Sequence, residues 1–313
     1  MAGFLGKNQR SSVTNGVGNS AEIIVRLIKP KLDDSVSKYW YGNNPYLTHF
    51  MNALSFIFPP GEETFVNSVN YFKEKITDPA LRKDIKSFIS QEFNHSHLHI
   101  ALNQWVGHHN LKAIRYQEIL TNVISKAYLM GKKVSPRFNL ATTAAFEHLT
   151  AIMSLRLLSR QDIVGKMYGD TKNIFILHAI EEIEHKSVAY DVYQAIGGGY
   201  FLRIFSFLFA TFFLTSVIVP TTLGLLVADR QFFNLKAGIL ALRELFGLHG
   251  YFTGIIKNYL LFFKPGFHPR EIVDSDLLAF WKDQLAKNIE IKVNGRKNHK
   301  EPLGAMDQNG VGA

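Results

Sequence analysis

The 313-residue chain has no cysteine. This excludes disulfides, iron–sulfur clusters and thiolate zinc sites, and is compatible with a reducing compartment. Zinc-finger spacing, a basic zipper and a glycine-rich phosphate loop are also missing. Despite a formal charge of +9, therefore, no nucleic acid partner is expected. Residues 1–20 hold no apolar core of signal-peptide length, so secretion is not expected. Alternating Val/Ile runs bounded by turn residues are scarce, and the fold class expected is all-α. Charged residues make up 19% of the chain, while 25 phenylalanines and 12 tyrosines point to extensive apolar surface.

Two Glu-x-x-His pairs stand out, Glu92 with His95 and Glu182 with His185. Residues three apart share a helix face, so each pair can offer a carboxylate and an imidazole to one metal. Both pairs lie on apolar stripes. The first reads Leu81, Ile85, Phe88, Glu92, His95, His99, Leu102, Val106, opened by Asp78 as N-cap and Pro79 at the first helical position. The second reads Phe175, His178, Glu182, His185, Ala189, Val192, Ile196 and is expected to run unbroken to Gly197-Gly198-Gly199. Single glutamates sit on two further stripes. Glu147 lies between Leu140, Ala144, Ala151 and Leu155 after Ser135-Pro136. Glu62 is in phase with Phe65, Val69, Phe72 and Ile76, whereas Glu63 falls with Asn67, Asn70 and Glu74 on the polar side. Pro59-Pro60 is read as the breaker before that helix. Residues 111–130 suit a crossover helix.

Four carboxylates in one core require protons, cations or metal. The metal ligands expected are Glu62, Glu92, His95, Glu147, Glu182 and His185, with a catalytic role for Glu62 or Glu147 in opening a coordination position. His99, His148 and His178 are further ligands or hydrogen-bond supports to them. Glu181 and Glu184 compete with Glu182 but lie off the seam. His97, His108 and His109 are assigned to surface or structural roles, and Tyr190 and Tyr193 to a redox pair or to buried hydrogen bonding. A sulfur-free shell suits two iron ions, with manganese or zinc as alternatives.

After the glycines, residues 204–228 carry no charge over a length sufficient to span a bilayer. Residues 245–263, with His249 and Lys257, suit an interfacial or re-entrant helix. The expected organisation is a disordered segment 1–20, a bundle 21–198, an apolar membrane-associated extension 199–293 and a disordered tail 294–313. The partners expected are membrane lipid, an apolar small-molecule substrate and an electron-donor protein, with the metal-binding bundle on the cytoplasmic side.

The segments FPPGE (58–62), QEFNHSHLH (91–99), EHLTA (147–151), EEIEHKSVAYDVY (181–193) and PGFHP (265–269) resemble those of a bacterial family described as predicted metal-dependent hydrolases. The likeness spans about Tyr39 to Lys287. The ligand order also resembles ferritin-like di-iron carboxylate bundles. That second resemblance implies O2-dependent oxidation of an apolar or lipid-derived substrate. The first implies hydrolysis by water activated on paired metals. A non-catalytic metal-binding module at the membrane is the third reading, and the apolar extension counts against iron storage.

Overall fold

The computed structural model describes residues 22–288, 291–293 and 296–297. Segments 1–20 and most of 294–313, expected to be disordered, fall outside them. The fold is all-α. In chain order the helices are α1 (Pro45–Phe72), α2 (Pro79–His109), α3 (Leu111–Val134), α4 (Pro136–Ser159), the short α5 (Gln161–Val164), α6 (Gly169–His185), α7 (Val188–Ala195), α8 (Tyr200–Ala228), α9 (Leu235–Phe246), α10 (Ile256–Leu261) and α11 (Ser275–Asn288). Helix α1 packs on α2 and α4 on α6, and contacts of α1 with α4 and of α2 with α6 close these four around a common interior. Helix α3 lies across α1, α2 and α4, and α8 covers α1 and α4.

Helix starts follow their local chemistry. Asn44 caps α1 by accepting from the amides of Tyr46 and Leu47, with Pro45 at the first position. Asp78 caps α2 through the Ala80 amide, and Ser135 caps α4 through the Phe138 amide, each followed by proline. Both caps agree with the sequence expectation.

Three expectations are corrected. Pro59 and Pro60 do not break a helix; α1 passes through them. Pro59 has no N–H for the carbonyl of Ser55 four residues back. The side chain of Asn103 on α2 donates to that carbonyl instead, at 3.1 Å, so the buried acceptor stays satisfied. The helix bearing Glu182 and His185 does not reach Ile196 unbroken either. It stops at His185, and α7 restarts at Val188 after a turn in which the Lys186 ammonium is drawn to Asp274 and the Ile272 carbonyl. Strands are not wholly absent: β1 (Arg26–Leu27), β2 (Lys292–Val293) and β3 (Arg296–Lys297) form a small antiparallel sheet that falls partly in the tail expected to be disordered.

Helix α8 is long and apolar enough to cross a membrane by length and composition, and only 28% of its most apolar window is buried. Its buried side mixes Arg203, Ser206 and Thr221 with Phe207, Ala210, Ile218, Leu225 and Leu226, whereas Phe201, Phe205 and Phe212 are 86%, 61% and 73% exposed. On α9, Leu235, Ile239, Leu242 and Phe246 form an exposed stripe at helical spacing. This is the reverse of a water-soluble amphipathic helix. Residues 245–263, expected as an interfacial helix, are instead the end of α9, a 3₁₀ turn and the short α10.

Candidate metal centre

The four long helices bring the six expected ligands into one fully buried cluster. Glu62 comes from α1, Glu92 and His95 from α2, Glu147 from α4, and Glu182 and His185 from α6, with no side chain more than 2% exposed. Glu63, rejected on helical phase, is exposed. The centre of the cluster is Glu182. Its Oε1 lies 3.2 Å from His178 Nε2, 3.4 Å from His185 Nε2 and 3.8 Å from His95 Nδ1. His185 Nε2 also lies 3.4 Å from Glu92 and 3.7 Å from Glu147, and Glu62 stands 3.8 Å from His178.

Two sets of donor atoms converge closely enough to hold a cation: Glu62, His95 and His178 in one, and Glu92, Glu182 and His185 in the other. Among the described residues, seventeen buried side-chain nitrogen and oxygen atoms have no hydrogen-bond partner, and ten of them belong to Glu62, Glu92, His95, Glu147, His178, Glu182 and His185. Such a concentration is costly in a folded core unless a cation satisfies it. Oxygen and imidazole donors without sulfur fit divalent iron, manganese or zinc. The residues present therefore fit two metal ions.

Electrostatics agree. Burial is the largest cause holding Glu62, Glu92 and Glu147 well above the usual carboxylate range, and the charge of Glu182 adds to it. Burial also opposes ionisation of Glu182, but His185 and His178 overcome it and keep that carboxyl well below the usual range. Burial disfavours the charged form of His185, yet Glu147 and Glu182 raise it above the ordinary imidazole value. Like charges this close cannot all ionise without a counter-ion.

A hydrogen-bonded layer orients these groups. His95 donates from Nε2 to Glu181 at 3.0 Å, which leaves Nδ1 facing Glu92 and Glu182. Glu181 and Glu184 pair with the buried Arg26, and Lys282 reaches Glu184. The Ser96 hydroxyl donates to Glu62 Oε2 at 2.8 Å. Sequence reasoning missed Arg26 and set Glu181 and Glu184 aside. The signal was present in α6, where apolar residues occupy every face (Ile174, Phe175, Ile176, Leu177, Ile180, Ile183). A helix buried all round also buries its off-seam carboxylates, and these then need a cation.

Among the remaining candidates, His178 joins the cluster and His99 stands behind it, its Nε2 accepting from His178 Nδ1 at 2.9 Å. His148 does not belong to the centre. It is boxed by Phe207, Phe262 and Phe267 and bonds the Asn258 carbonyl, and burial pulls its pKa down to about 3. Tyr190 and Tyr193 donate to the carbonyls of Phe267 and Gly199. His97 and His108 are exposed, and His109 is half-buried.

Two cavities reach the cluster. A cleft of about 760 Å3 between α1, α2 and α3 has Glu62 and Glu92 in its wall, beside Pro59, Phe93, Ser96 and Gln117. An apolar slot of about 60 Å3 between α1, α4 and α8 is lined by Phe58, Phe65, Met153, Phe213 and Val217, again with Glu62.

Helix-borne carboxylates and imidazoles arranged in two cation-holding groups define an all-α protein built for metal. The chain belongs to the family described as predicted metal-dependent hydrolase, which it matches over residues 24–272. No curated protein and no solved structure is found to match it.

Proposed function

We propose that the chain is a dinuclear metal enzyme that hydrolyses an ester or phosphoester of an apolar substrate. The observation carrying this reading is the convergence of ten unpartnered, buried donor atoms beside a cleft large enough for a small molecule. Glu62, His95 and His178 would hold one ion and Glu92, Glu147, Glu182 and His185 the other. Bound ions of this kind lower the pKa of water and stabilise charge on an oxyanion. Glu62 borders both cavities, and the role proposed for it is to release its ion as substrate enters and take the proton of the attacking water on Oε1. As the water oxygen bonds to the acyl carbon or phosphorus, the ester bond breaks and the departing alkoxide takes that proton back from Glu62 to leave as the alcohol. Ser96 holds the other oxygen of Glu62 in place.

The family description favours hydrolysis over the O2-dependent oxidation expected from the ligand order. Oxidation remains the second reading because the order Glu, Glu-x-x-His, Glu, Glu-x-x-His on four helices is that of di-iron carboxylate bundles. It would require two iron ions and an electron-donor protein. The two readings separate in one experiment. Protein loaded with Zn(II) or Mn(II) is offered nitrophenyl esters and phosphoesters of increasing acyl length, and Fe(II)-loaded protein is followed with an oxygen electrode. Metal-dependent cleavage that is lost in Glu92→Ala is expected. O2 uptake by the Fe(II) form without cleavage of any ester would overturn hydrolysis in favour of oxidation.

The outward phenylalanine and leucine faces of α8 and α9 support a place at the membrane surface as part of this reading. Residues Phe213 and Val217 of α8 line the slot that ends at Glu62, which suits an apolar substrate arriving from lipid.

A further inference from the structure

We infer that His178 gives the metal pair a third imidazole, through Nε2, and that Asn103, Ser55 and His99 are the positioning residues that fix its tautomer. This rests on the dinuclear reading above and adds to it the residues that orient its one histidine outside the two Glu-x-x-His pairs.

The chain of hydrogen bonds has only one consistent direction, set by a proline. Because Pro59 lacks an N–H, the Ser55 carbonyl is free, and a carbonyl can only accept. Asn103 must therefore turn its Nδ2 to that carbonyl, at 3.1 Å, which leaves Oδ1 as an acceptor. The Ser55 hydroxyl spends its single proton on Oδ1, at 2.5 Å. Ser55 Oγ, 2.9 Å from His99 Nδ1, must then accept from it. His99 is fully buried and makes no hydrogen bond to a carboxylate, so it carries one ring proton, already committed to Ser55. Its bare Nε2, 2.9 Å from His178 Nδ1, takes the proton of that nitrogen.

His178 thus has Nδ1 engaged by His99, and Nε2, 3.2 Å from Glu182 Oε1 without a well-formed hydrogen bond, is the ring nitrogen left to ligate a metal. Nε2 faces the cluster, while Nδ1 is the nitrogen 3.8 Å from Glu62; His178 groups with Glu62 and His95 as one set of donors. Phe58 packs over both rings, with centroids 4.7 Å from His99 and 4.4 Å from His178, and holds the pair in place. The result is two imidazole donors beside Glu62 against one beside Glu147. The two ions then differ in nitrogen count.

The test uses the full chain with 15N-labelled histidine rings, followed by long-range proton–nitrogen NMR without metal and after two equivalents of Zn(II). Signals are assigned by their loss in His178→Gln. Three ring nitrogens are expected to move on loading, including Nε2 of His178, which is already in the Nδ1–H tautomer beforehand. In Ser55→Ala, a residue outside the donor set, the His178 tautomer becomes mixed. One Zn(II) should then bind about 10–100-fold more weakly while the other is little changed. Uptake of two Zn(II) with His178 Nε2 protonated and unmoved would overturn the assignment alone. Failure of the wild-type chain to take up Zn(II) would overturn the dinuclear reading with it.

Discussion

Replacing Glu182 with alanine will strip most of the bound metal from the protein while leaving its helix content nearly intact. Glu182 lies within 3.8 Å of His95, His178 and His185 and is the one carboxylate of the four held well below the usual range by its neighbours. Removing it takes a donor from the space between the two groups, so both ions lose affinity. The fold should survive because the packing of α1, α2, α4 and α6 rests on residues such as Phe56, Phe88, Leu140 and Ile180, all fully buried. Losing one carboxylate also relieves part of the like-charge repulsion in the metal-free state. Metal content by plasma mass spectrometry and far-UV circular dichroism check this together. Full occupancy in Glu182→Ala, or in the parallel Glu92→Ala, would show that the site is assigned wrongly.

Full-length protein will sediment with membranes, resist high salt and come away only in detergent. Each phenylalanine or leucine of the exposed stripes on α8 and α9 that enters lipid contributes about 1.5–3 kcal/mol, and electrostatic screening does not weaken that contribution. A chain carrying Phe201→Ser, Phe212→Ser, Leu235→Ser and Ile239→Ser changes only exposed positions. It should move largely to the soluble fraction and keep its metal. Wild-type protein that stays soluble and monodisperse without detergent would contradict the membrane placement and weaken the case for a lipid-derived substrate.

The buried Glu/His cluster was legible because helical phase is a strong signal when polar residues interrupt an apolar stripe. Glu62 and Glu63 are adjacent, yet only Glu62 repeats with Phe65, Val69 and Phe72, and only Glu62 is buried. The caps at Asp78 and Ser135 were legible for the same local reason. What escaped depends on partners distant in sequence. Pro59-Pro60 reads as a breaker because the donor that replaces the missing amide, Asn103, lies 48 residues from Ser55. Arg26 sits in an unremarkable N-terminal segment, and its role appears only once folding places it against Glu181 and Glu184, 155 and 158 residues away. His148 shares its helix with Glu147, but α8 and the segment after it, not the bundle interior, surround its ring.

The most direct test of the central claim is metal stoichiometry on protein purified without chelators, repeated after chelation and reloading with Fe(II), Mn(II) or Zn(II). Two ions per chain are predicted, lost together on chelation and recovered with at least one of these metals. A folded protein that holds no metal as isolated and takes up none on reloading would contradict the account.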